Sequence, residues 1–230
     1  MMNDNVFEAL KHSRYKVFTD KQDLEAIYRL RYKCYRAEGL VAESERAIMT
    51  DAFDQNPNCV HVAIEVDGEI RAAMRLHLLS RLSAVSPSLE VFPEIADHLN
   101  RGKTVLDPTR FVIDPAARKM RVPLHFLALR IPFLAAMFYD IDLALASVRT
   151  EHIAFYRRHL GFELALHARD YPGLKKPLHL LTSKFREQRD AVLARTPVFG
   201  PVDQVPHANI AFPTLSGIYV ASKEGRSAAA

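Results

Sequence analysis

The chain predicts a mixed α/β fold built as one principal domain, and three patterns carry that prediction. Apolar segments of period 2 and period 3.6 alternate along most of its 230 residues. The pair Asp67-Gly68 separates two alternating runs, a strong signal for a two-residue hairpin. Pro108 interrupts a buried-strand pattern over 104–113; proline cannot donate to a ladder, so a central strand that bulges or splays is expected there.

Residues 14–18 alternate as a short strand, and Thr19 or Asp20 is placed to cap the helix that follows. Along that helix Leu24, Ile27, Tyr28, Arg31, Cys34 and Tyr35 share the inward face, and Glu38-Gly39 ends it. A polar segment, 42–58, holds Asp51 and Asp54. Strands over 59–66 and 69–79 flank the hairpin turn. In the second, Ile70, Ala72, Met74, Leu76 and Leu78 share one face, and Arg71, Ala73, Arg75 and His77 the other. Residues 80–102 carry Pro87 and Pro93 and no regular period apart from a short helix around 94–100.

Beyond the 104–113 strand, a helical stretch runs from Pro123 to about Tyr139, with a break or kink expected at Pro132. A buried strand over 142–148 and a helix from about Thr150 to His159 follow, the latter stopping at a Gly161 cap. A second hairpin (162–169 and 177–183) turns around Asp170-Tyr171-Pro172-Gly173, and a charged helix occupies 184–195. The domain is therefore expected to span 1–195. Residues 196–230, with Pro197, Pro201, Pro206 and Pro213, are expected to form a partly irregular C-terminal extension.

Composition narrows the function classes. A net charge of +4 without an arginine-rich block argues against a nucleic-acid partner and suits an acidic protein partner. Cys34 and Cys59 form no CxxC pair, and the ten histidines show no ligand spacing, so neither a metal site nor a disulfide framework is expected. Residues 1–13 are polar and charged, unlike a signal peptide, and the apolar run 131–139 is too short to span a bilayer. A cytoplasmic protein with no stable membrane insertion is expected.

Against this ordinary background, several charges fall in or beside faces that periodicity assigns to the interior: Arg31, Asp51, Asp54, Arg75, Asp107 and Arg110. An isolated buried charge is very costly, so these groups must be paired or used. They predict a polar pocket assembled from several elements, with Asp107 and Arg110 pairing to hold the splayed strand.

The order of elements, together with Phe155-Tyr156-Arg157-Arg158-His159-Leu160-Gly161-Phe162, resembles the GNAT acyltransferase superfamily, in which a tyrosine of this motif faces the thioester. Arg31 with Tyr35, Asp51-x-x-Asp54, Arg75 and the acid-x-x-Arg-Phe of 107–111 resemble the acyl-homoserine-lactone synthases of that fold. The stretch Arg31-Tyr32-Lys33-Cys34-Tyr35-Arg36-Ala37-Glu38-Gly39 is more similar still to the long-chain N-acyl amino acid synthases. The resemblance covers roughly 14–183.

What it implies is a GNAT fold and an N-acyltransferase that moves a medium or long fatty acyl chain to the amine of a small, amino-acid-like acceptor. The donor would be acyl carrier protein or acyl-CoA, with no cofactor. Asp107, Arg110 and Tyr156 become the candidate catalytic residues, Asp107 as the proton acceptor. Arg31, Tyr35, Asp51, Asp54, Arg75, Phe111, Val112 and Ile113 become candidate substrate-binding residues, with backbone N–H groups near Phe111 and Val112 facing the oxyanion. Phe126 and Leu127 join Phe111 and Ile113 as candidates for the acyl tunnel, with plain core the expected role of at least half of the four.

Two departures matter. Asp107 stands where the family usually has glutamate. The superfamily's glycine-rich pyrophosphate loop is absent, since 118–123 reads Arg-Lys-Met-Arg-Val-Pro. That loss favours a carrier-protein donor, whose arm has a single phosphodiester, and makes Arg118, Lys119 and Arg121 candidates for phosphate or carrier docking. The alternatives are a homoserine-lactone synthase using S-adenosylmethionine and a catalytically silent carrier-protein-binding domain.

Overall fold

In the computed structural model, which describes residues 2–18, 24–120 and 122–218 (without the side chains of 2, 118 and 119), seven strands build one sheet. They are β1 (Ser13–Phe18), β2 (Cys59–Val66), β3 (Glu69–Leu79), β4 (Val105–Ile113), β5 (Leu143–Val148), β6 (Glu163–Arg169) and β7 (Leu178–Lys184). Their spatial order is β1-β2-β3-β4-β5-β7-β6. β4 and β5 run parallel, and the other neighbours are antiparallel. Seven α-helices accompany them: α1 (Met2–Lys11), α2 (Glu25–Ala37), α3 (Pro87–Val91), α4 (Ala96–Asn100), α5 (Leu124–Phe138), α6 (Ile153–Leu160) and α7 (Phe185–Arg195). Thr19 and Asp20, the expected caps of α2, lie outside the described residues.

Alternation along the strands sorts the helices into two layers. Met74, Leu76 and Leu78 of β3 face a core shared with α1, α5 and α7. Ala63 and Ala73 pack on the opposite face against Ile27, Tyr28, Leu30 and Cys34 of α2. Further along that face Leu79, Val105, Leu143 and Leu145 meet Phe92, Ile95 and Leu99, around α3 and α4.

The hairpin turn has Asp67 at φ +53° and Gly68 at φ +77°, the two left-handed residues that a twist-matched two-residue loop requires. A bulge between Ile64 and Glu65 then shifts the β2–β3 register by one, setting His61 opposite Arg75.

The irregularity expected at Pro108 divides in two. Toward β3, Ala73 pairs with Val112 and Arg75 with Thr109, so Arg110 and Phe111 both oppose Met74. Arg110 takes φ +53° to make that bulge. Toward β5, pairing is confined to Val105–Leu143 and Leu106–Ala144, and the strands part immediately before Asp107 and Pro108.

The helices depart from expectation in three places. α1 packs Val6 and Leu10, four residues apart, into the main core although its sequence is largely polar. α3 forms within a stretch without periodicity: the Ser86 hydroxyl accepts from the Leu89 N–H and Pro87 takes the first turn. α5 runs unbroken through Pro132. An interior proline costs about 3 kcal/mol, but Leu127, Ala128, Ile131 and Ala135 are fully buried around it, and burying one such aliphatic chain is worth about 1.5–3 kcal/mol.

The tail packs into the same core through Val198, Phe199, Val202, Val205, Ala208 and Phe212. Fully buried Arg130 of α5 pins it by donating to the carbonyls of Val198 (2.7 Å), Gly200 (2.9 Å) and Ala208.

Candidate active site

Five of these charges, Arg31, Asp54 and Arg75 buried and Asp51 and Arg110 partly so, form one network over the α2 face of the sheet. α2 presents Arg31, β3 presents Arg75, the bulge of β4 presents Arg110, and a 3-10 turn at Ala52–Gln55 supplies Asp51 and Asp54. Arg31 Nη1 donates to Asp54 Oδ1 at 2.6 Å, and Arg75 Nη1 reaches the same oxygen at 2.7 Å. Arg75 also donates to both Asp51 oxygens (2.5 and 3.2 Å) and through Nε to Thr109 Oγ1 (3.0 Å). Arg110 meets Asp51 Oδ2 through Nη2 (2.6 Å) and Nε (3.1 Å).

The turn itself holds the acids in place. The Phe53 N–H donates to Asp51 Oδ1, and the Asp51 N–H and Thr50 hydroxyl both donate to Asp54 Oδ2.

Burial alone would raise both carboxyls. The Arg31 and Arg75 guanidiniums overcome it at Asp54, as do Arg75 and Arg110 at Asp51, and both are held below the usual carboxylate range.

His61 completes the network, and the sequence pattern missed it. Arg31 Nη2 lies 3.0 Å from His61 Nδ1, which must therefore accept, so Nε2–H is free to donate to the Asp54 carbonyl at 3.1 Å. Burial, then Arg31, push this imidazole down to about 4, in keeping with a neutral ring. An unbulged hairpin would have set His61 opposite Met74, so only the bulge reveals the placement.

Asp107 stands apart from this network. The expected Asp107–Arg110 pair does not form, because the bulge turns Arg110 onto Asp51. Asp107 is fully buried and takes two bonds from Ser88: Oγ at 2.7 Å to Oδ1 and N–H at 3.2 Å to Oδ2. Burial dominates there, and without a guanidinium in contact the carboxyl is raised above its ordinary value.

Where β4 and β5 part, a cavity of about 850 Å³ passes through the sheet. Tyr35, Glu38, Arg110, Arg149 and Tyr171 line its polar end, while Leu129, Phe133, Ala136, Phe185 and Val192 make its inner wall apolar. Phe111, Val112, Ile113 and Tyr156 also line it, and burial pushes the Tyr156 phenol up to about 12. Gly161 ends α6 at φ +67°, where a Cβ would meet Gln188 Oε1 at 2.7 Å, so this turn needs glycine.

Phe126 and Leu127 are core and do not line the cavity; Leu124 and Leu129 of the same helix do. Arg31, Asp51, Asp54 and Arg75 sit behind Arg110 and likewise are not part of its wall. Asp107 is not either, but Ser147 on β5 is, and its Oγ lies 2.8 Å from Ser88 Oγ. Arg121 and the side chains of Arg118 and Lys119 lie outside the described residues. Among the described residues no group of three or more His, Cys, Asp and Glu is placed to hold a metal, and no helix is long and apolar enough to cross a membrane.

Comparison with known proteins agrees with this geometry. The family model for the N-acyl amino acid synthase FeeM matches residues 26–184. Among solved structures, FeeM, an N-acyl amino acid synthase from uncultured soil microbes, superposes with a TM-score of 0.62 at 17% identity, over 79% of this chain and 96% of that one. BjaI, a CoA-dependent acyl-homoserine lactone synthase solved with SAM and isopentyl-CoA, gives 0.57 at 17%, over 86% and 99%. An acyl-CoA N-acyltransferase from Pseudomonas aeruginosa gives 0.50 at 19%, over 74% and 98%. No curated protein sequence matches the chain. The fold is that of the GNAT-like acyltransferases.

Proposed function

The chain belongs to the FeeM N-acyl amino acid synthase family, and from that premise we propose that it transfers a medium or long fatty acyl chain from acyl carrier protein to the amine of an amino acid or close derivative. The observation that carries this reading is the cavity between β4 and β5, with its long apolar wall and its single cationic neighbour from the charged network, Arg110. Three arginines against two aspartates leave that network with one net positive charge (3 − 2 = +1), and Arg110 is the member facing the cavity. That charge favours an acceptor carrying a carboxylate.

In this reading the acyl chain lies along Phe133, Ala136 and Val192, with its thioester beside the bulge. The Phe111 and Val112 N–H groups would face the oxyanion, and Tyr156 the departing sulfur. Asp107, raised by burial, is a better proton acceptor than an ordinary aspartate. Arg31, Arg75, Asp51 and Asp54 hold Arg110 in place and Tyr35 packs beneath its guanidinium, 5.7 Å from ring centre to Cζ. The missing pyrophosphate loop supports a carrier-protein donor, docked on Arg118, Lys119 and Arg121 together with the exposed Arg157 and Arg158 of α6.

Incubation of the purified protein with long-chain acyl carrier protein and mixed amino acids is expected to release carrier thiol and yield an N-acyl amino acid by mass spectrometry. Turnover with S-adenosylmethionine alone would establish lactone synthesis instead, and no turnover with any amine would favour a silent binding domain. The donor is tested by salt. The Debye length shrinks from about 10 Å at 0.1 M to about 3 Å at 1 M, so apparent affinity should fall for acyl carrier protein and hold for acyl-pantetheine. Equal salt dependence for the two donors rules out this docking face.

A further inference from the structure

A proton acceptor that does not touch the cavity needs a path to it, and two serine hydroxyls bridge that distance. Ser88 Oγ lies 2.7 Å from Asp107 Oδ1 and 2.8 Å from Ser147 Oγ. A serine hydroxyl has one proton, and Ser88 gives its proton to the carboxylate, so Ser147 is the donor of the second bond. Ser147 Oγ then keeps a lone pair to accept a proton from the cavity that it lines. Tyr171, whose hydroxyl is 3.4 Å from Ser88 Oγ, closes the same corner.

We propose that Ser147 and Ser88 form a two-hydroxyl relay that carries the proton of the attacking amine from the cavity to Asp107. This rests on the acyltransfer reading above and adds to it the route that the proton takes. The fold aligns the three groups. Asp107 shares a strand face with Val105, and Ser147 one with Leu143 and Leu145, all directed toward the layer that contains α3. The Ser86 cap fixes the first turn of α3, where Ser88 sits fully buried, and the Ser88 N–H holds the second carboxylate oxygen at 3.2 Å.

The step balances. The amine nitrogen bonds to the thioester carbonyl carbon. Its proton passes to Ser147 Oγ, the Ser147 proton to Ser88 Oγ, and the Ser88 proton to Asp107 Oδ1. The C–S bond then breaks, and the proton returns along the same hydroxyls to the thiolate, leaving an amide and a free thiol. Ser147 is the catalytic member, in contact with the amine; Ser88 is a positioning residue acting through it. Burial, which raises Asp107, makes the terminal acceptor basic enough for the transfer.

The test compares wild type with Ser147→Ala and Ser147→Thr, using an amine that the wild type acylates and reading kcat, donor KM and the pH profile. Ser147→Ala is expected to lower kcat by about 10²–10⁴-fold with donor KM little changed. Its rate should keep rising with pH, because solvent must then take the proton. Ser147→Thr keeps the hydroxyl and is expected to recover most of the loss. Ser88→Ala, if it folds, should shift the profile in the same way. A Ser147→Ala enzyme with wild-type kcat and profile overturns the relay, as does a Ser147→Thr enzyme as slow as Ser147→Ala with an unaltered profile. If the wild type acylates no amine, the acyltransfer reading is what fails, and the relay falls with it.

Discussion

Asp54 and Asp107 are buried over the same face of the sheet, yet one carboxyl is held far below the usual range and the other is pushed above it. Asp54 accepts from Arg31, Arg75, Thr50 and the Asp51 N–H; Asp107 accepts from the Ser88 hydroxyl and N–H, with the Ser86 hydroxyl beside it. Burial disfavours both anions. Two guanidiniums reverse that at the first, and neutral serine donors do not at the second. The strand geometry makes the division: Arg75 bonds Thr109, two residues beyond Asp107, and the bulge sends Arg110 to Asp51. One region spends its charges on holding a wall, and the other keeps a carboxyl available to a proton.

The sharpest way to break this contrast is to delete the acid that two arginines share. Asp54→Ala leaves Arg31 and Arg75, both fully buried, short of their common carboxylate, and breaking such a pair costs about 3–5 kcal/mol. Denaturant titration should show that loss, and a change under about 1 kcal/mol would mean that the network contributes little to stability.

At the other carboxyl the balance should invert. In Asp107→Asn the Ser88 N–H can still donate to the amide oxygen and the Ser88 hydroxyl can turn to accept. Stability should therefore fall by no more than about 1 kcal/mol, while kcat falls about 10²–10⁴-fold. Full activity in this variant removes Asp107 from the mechanism.

The smallest effect is in pH, where the two regions should respond with opposite sign. Asp51 and Asp54 titrate lower in the folded than in the unfolded chain, so their contribution is present above the ordinary value of 3.8 and is lost as pH falls below it. Asp107 titrates higher when folded, so its contribution is full below 3.8 and declines as pH rises from there toward its folded value. Each group contributes at most about 1.4 kcal/mol per pH unit. Asp51→Asn should flatten the acid limb of the stability curve, and Asp107→Asn the decline above it. The same change of slope in both variants would erase the distinction.

Phe126 and Leu127 lie on α5, which is buried on nearly every side, so the apolar character of that helix does not say which side meets a cavity. α3 has five residues, too few to show a period, although Ser86-Pro87 is a legible start signal. β7 lies between β5 and β6, so the second hairpin returns beside β5, an arrangement that local pattern does not encode.

By itself the sequence determined which faces are buried and which charges lie on them. Periods of 2 and 3.6 follow from backbone geometry, and that sufficed for Arg31, Arg75, the Asp67-Gly68 hairpin and an irregular β4. Only the tertiary structure decided the partners. Two bulges, each one residue long, turned Arg110 from Asp107 to Asp51 and brought His61 opposite Arg75. Ser88 and Ser147 meet across a 59-residue separation that leaves no local trace. Periodicity fixes the direction of a side chain relative to its own element, whereas pairing depends on register and on how separate elements pack, and a shift of one residue reverses it.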